Sequence, residues 1–63
     1  MIKLTMEAAR MNKKMTQQDI ADALGVSRKT VGLWESGKRK MKTVYVHMFC
    51  DVVGITEDDL LLP

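Results

Sequence analysis

Between residues 17 and 36 the chain sets two short helical segments on either side of a glycine turn, and little else can be built from that pattern. Ile20, Ala21 and Leu24 recur at helical spacing over 17–24. Gly25 follows at once, where a turn between helices calls for a residue tolerant of positive φ. The second segment runs about 28–36 and stops at Gly37. At 100° per residue, Val31, Trp34 and Glu35 share one side of it. Lys29, Gly32, Leu33 and Ser36 share the opposite side, with Arg28 and Thr30 at the exposed end or flank. The apolar side must pack on other helices, so the remainder of the chain has to supply them.

The remainder reads as helical too. A first helix is expected over roughly 3–13, with Met6, Ala9 and Met11 turned inward. A fourth, near 43–53, carries Val46, Phe49, Cys50 and Val53 at i, i+3, i+4 and i+7 on one face. Gly54 ends it, and Thr56 opens a last short helix reaching Leu61. Proline stands only at position 63. The expectation is an all-α fold of five short helices forming one domain over residues 1–63. With 63 residues, the chain is near the lower limit for a core that folds without staples. Its single cysteine excludes an internal disulfide, which fits a reducing cytoplasm. Lys3, Glu7 and Arg10 interrupt the N-terminus, and no apolar run approaches the roughly 18 residues of a membrane span.

One helix start breaks a local rule. Ser27 is a good N-cap, yet the next two residues are Arg28 and Lys29, at the positive end of the helix dipole. Thr16-Gln17-Gln18-Asp19 and Thr56-Glu57-Asp58-Asp59 obey the rule, placing an acid at the third helical position, close to a capping box. Local rules are broken where function requires it. A cationic helix tip offered to solvent points to a polyanionic partner, read here as DNA. The net charge of +2 is modest, but its distribution is uneven. Residues 1–40 hold nine Lys/Arg against four Asp/Glu, whereas residues 41–63 hold one lysine against four acids. A one-sided basic distribution is the electrostatic footprint of a nucleic-acid partner. The bland alternative is an uneven solvated surface.

A helix of eight residues, a turn of about three, then a helix of nine is helix-turn-helix spacing. The stretch TQQDIADALGVSRKTVGLWESGKRK, followed by GITEDDL, resembles the helix-turn-helix domain of phage repressors and Cro proteins, the XRE-like regulators. The resemblance covers Met6 to Leu61 and rests on T-Q-x-x-[IL]-A, L-G-V-S and W-E-S-G at fixed spacing. It implies a lambda-repressor-like domain in which the helix around 28–36 enters the major groove of a near-palindromic operator. It also implies roles for individual residues. Gln17, with Gln18 beside it, would touch a phosphate and buttress the recognition helix. Ser27, Arg28, Lys29, Thr30, Gly32 and Leu33 would face the bases. Lys38, Arg39 and Lys40 after Gly37 would contact the backbone, and Arg10 would pair with Glu35. Where the family often has a proline near 41 and a leucine at 43, this chain has Met41 and Thr43.

Other chemistry finds little support. His47 and Cys50 stand at i, i+3, but a structural zinc wants four ligands and no second Cys or His exists. Cys50 reads as a core residue and His47 as a partly exposed one. Trp34, spaced with Val31, reads as core rather than as a stacking platform. No enzyme, cofactor, metal or small-molecule ligand is expected. Two readings remain: a DNA-binding regulator, acting as a homodimer in a bacterial or phage-infected cytoplasm, and an interaction module that kept the fold but lost its operator. The second should lose the basic helix tip and expose a larger apolar patch. Arg28, Lys29 and the Lys38–Lys40 run favour the first. Whether the chain is Cro-sized or the N-terminal domain of a longer repressor stays open, as do the operator and the sign of regulation.

Overall fold

The computed structural model describes residues 3–62. Among them are four α-helices: α1 (Met6–Asn12), α2 (Gln17–Leu24), α3 (Arg28–Glu35) and α4 (Thr43–Val53). Each of the first three has a side-chain cap. Thr5 Oγ1 accepts from Ala8 N, Thr16 forms a full capping box with Asp19, and Ser27 Oγ accepts from Thr30 N. Gly25 closes α2 at φ 73°, a left-handed conformation that a β-carbon would strain, and Val26 N then reaches back to Ala21 O. This turn sends α3 across α2, its most extensive packing partner.

Four helices, not five, is a correction to the expectation from sequence. Residues Glu57–Asp59 make a single 3₁₀ turn, with Asp59 N bonded to Thr56 O. Leu60–Leu61 then runs extended as β2 and pairs in parallel with β1, Leu4–Thr5, in the register Leu4 to Leu60 and Thr5 to Leu61. The reason is length. A segment of five or six residues returns too few hydrogen bonds to offset helix nucleation. Extending instead, Leu60 drops into the core at 7% exposure. The same pairing takes Leu4 and Thr5 out of the first helix, which begins at Met6 rather than near residue 3.

The core joins all four helices through Met6, Ala9, Ile20, Ala21, Leu24, Val31, Trp34, Val46, Phe49, Cys50 and Val53. Met11 is a second correction, for it is 60% exposed. At 100° per residue it stands about 140° around the helix from Met6, off the buried face. No helix of the described residues is long and apolar enough to cross a membrane.

Candidate nucleic-acid interface

The outer surface of α3 is built from a cap, two cations and a gap. Ser27 Oγ holds Thr30 N at 3.2 Å and lies 3.0 Å from Thr30 Oγ1, so the two hydroxyls brace the first turn. Arg28 and Lys29 are exposed, and neither has a carboxylate partner among the described residues. Gly32 and Leu33 are half-buried on the same helix. At its C-terminal end Gly37 takes φ 79°, and Lys38 N and Gly37 N return to Leu33 O and Trp34 O. This pair of bonds is a Schellman cap, and it fixes where the basic loop leaves the helix. Lys38, Arg39 and Lys40 are exposed and likewise have no carboxylate partner among the described residues.

Behind this surface runs a polar chain that seats α3. Arg10 Nε donates to Glu35 Oε2 at 2.8 Å and Nη2 to Glu35 Oε1 at 3.4 Å, while Nη1 donates to Met15 O. Gln17 Nε2 donates to the same Glu35 Oε1 at 3.0 Å. One carboxylate at the end of α3 therefore gathers side chains from α1 and α2. Gln18 does not join it. Its amide is bonded to Asp22 Oδ1 on its own helix at 2.8 Å.

Residues 6–60 match the profile of the family described as Helix-turn-helix. The chain belongs to that family, of the XRE type that includes Cro-like regulators. Binding DNA in transcription regulation is the family's work, and catalysis is not. Among curated proteins, none matches the chain closely enough to count as a relative.

Within this helix-turn-helix domain the structure adds residues that the sequence reading passed over. The loop leads into α4, whose N-cap is Lys42 and whose first turn has neither a side-chain cap nor an acid. A groove of about 260 Å³ opens there between α3, the loop and α4, lined by Thr30, Trp34, Arg39, Lys40, Lys42 and Tyr45. Trp34 and Tyr45 form its aromatic floor, their ring centroids 5.2 Å apart and tilted by 41°. The signal for Lys42 was present in the sequence: a lysine where a cap belongs repeats the broken rule of Arg28 and Lys29. Tyr45 carried no such signal, because helical spacing alone does not say which flank of α4 meets the loop.

His47 and Cys50 go separate ways. His47 is exposed and pairs through Nδ1 with Glu57. Cys50 is buried in the core, and burial first, then Glu57 and Asp51, pushes its thiol pKa up.

Proposed function

We propose that this domain is a sequence-specific, Cro- or repressor-type regulator that inserts α3 into the major groove of double-stranded DNA. The observation that carries the reading is that two helix N-termini, α3 and α4, each carry cations and no first-turn acid, where the helix dipole disfavours positive charge. Thr30, Arg39, Lys40 and Lys42 line one groove between them. A fold that spends stability to concentrate unpaired cations on one surface is adapted to a polyanion. Arg28 and Lys29 reach base edges in this reading, and Lys38, Arg39, Lys40 and Lys42 hold phosphates.

A module this small covers too little DNA for strong specificity alone, so we propose a homodimer on a near-palindromic operator with half-sites roughly 34–36 Å apart. Of the C-terminal leucines that could form its surface, Leu60 lies in the core. Leu61 and Leu62, 50% and 43% exposed, remain for it. The protein would act where the operator is, in the cytoplasm of a bacterium or a phage-infected cell.

The test is selection of binding sites from a random duplex library, followed by titration at two salt concentrations. A recovered palindromic motif, bound far more tightly at low salt, supports the reading. Failure to enrich any motif, or affinity that ignores salt, overturns it.

A further inference from the structure

Gly25, Gly37 and Gly54 all take left-handed φ angles of 73–79°, which explains each of them. Gly32 is different. It lies inside α3 with ordinary helical geometry, where glycine weakens a helix relative to alanine. Space does not require it either. A β-carbon there would meet only the Gln17 amide, with Nε2 and Oε1 both at 4.0 Å, an ordinary contact distance. What the missing side chain does is leave that amide uncovered beside the face of α3 that carries Lys29 and Leu33.

The amide beneath the gap is oriented. A carboxylate only accepts hydrogen bonds, so the end of Gln17 that meets Glu35 Oε1 is its nitrogen. Glu35 is itself held by Arg10. One N–H of Nε2 is thereby used, and the second N–H and Oε1 have no further partner among the described residues. A planar amide with one free donor and one free acceptor matches the N7 acceptor and N6 donor of adenine in the major groove.

We infer that Gly32 is a specificity-determining gap through which Gln17, a residue of α2, reads an adenine that an α3 side chain would otherwise face. The inference rests on the proposed DNA-binding function and refines it: one operator position is read through the recognition helix rather than from it.

Binding-site selection and thermal melts on the wild type, Gly32→Ala, Gln17→Ala and the double variant test this. Gly32→Ala should melt several degrees higher, because alanine favours the helix. It should nonetheless bind the wild-type motif roughly 5- to 150-fold more weakly, the range of one good bidentate base contact. Preference for adenine should vanish at one position per half-site, the same position that Gln17→Ala relaxes. The double variant should lose no more than either single, since both remove one contact. Gly32→Ser repeats the first arm with a different small side chain should Gln17→Ala prove unfolded in the melt. If the wild type selects a motif and Gly32→Ala selects the same one with equal affinity, the gap is overturned while the function stands. Additive losses from the two singles overturn it equally. If the wild type selects no motif, both readings fall together.

Discussion

Arg10 on α1 and Glu35 at the end of α3 meet as a two-pronged ion pair, Nε to Oε2 at 2.8 Å, with side chains only 11% and 7% exposed. A buried pair of this kind adds little net stability, because desolvation offsets most of the Coulomb attraction. Removing one member is another matter, for it strands the other charge. Glu35→Ala should destabilise the domain by about 3–5 kcal/mol. That approaches the roughly 5 kcal/mol total expected at the low end for small domains. Replacing both, Arg10→Met with Glu35→Leu, should recover much of the loss. Thermal melts of the singles and the double check it; mild, additive losses would show that the pair does not couple.

The positions of α2, α3 and α4 were legible because glycine closes each of them or follows closely and apolar residues repeat at helical spacing. The two-residue strands were not. A two-residue segment has no period to detect, and Leu4 finds its partner at Leu60, almost the whole chain away. The leucine run at 60–62 suits a helix end or a strand equally well, and only the core cluster that Leu60 joins with Met6 decides. On the interface, cap chemistry exposed Arg28 and Lys29, while the groove formed with Tyr45 depends on how α4 docks and is invisible to local rules.

The two kinds of cation should separate in binding experiments. Lys29→Ala should cost about 1–3 kcal/mol on the selected operator and relax preference at one position. Lys38→Ala should weaken all duplexes alike and reduce the salt slope by about one unit. Titrations over a range of salt, on selected and scrambled duplexes, distinguish the two. An unchanged motif from the Lys29 variant would mean that this face of α3 does not read bases.

Burial raises the Cys50 thiol pKa above its ordinary 9.0, so the folded state holds the proton longer than the unfolded chain does. The stability contributed by burying the neutral thiol is therefore complete below about pH 9 and lost as pH rises through the folded value. Denaturant midpoints of the wild type should fall more steeply than those of Cys50→Ala between pH 8 and pH 10. Parallel curves would show that the thiol titrates as it does in water.

Lys14 links α1 to α2 in a left-handed conformation, φ 57°, that glycine would adopt without strain. Its N–H bonds to Met11 O, and Met15 N bonds to Arg10 O, the paired bonds of a Schellman cap. The same turn presents Met15 O to Arg10 Nη1 at 2.8 Å, so the turn helps to hold the ion pair. Lys14→Gly should stabilise the domain by about 0.5–1 kcal/mol, the relief of left-handed strain less the extra entropy of an unfolded glycine. Lys14→Ala, which keeps the strain, should gain nothing. Equal denaturation midpoints for the two variants would remove the strain argument.

Lys42 sets stability and binding against each other at one residue. As N-cap of α4 it offers no acceptor to the first-turn N–H groups and places a positive charge at the positive end of the helix. Lys42→Ser supplies the missing acceptor and removes the charge. It should therefore raise stability by about 1 kcal/mol, the usual worth of a serine cap. For an isolated folding domain that substitution is an improvement. If Lys42 instead holds a phosphate at the groove it shares with Arg39 and Lys40, the same variant should bind every duplex more weakly and lose about one unit of salt slope. Melting and salt titration on the same two proteins read both signs. A variant that is more stable and binds DNA undiminished would place the N-terminus of α4 outside the interface.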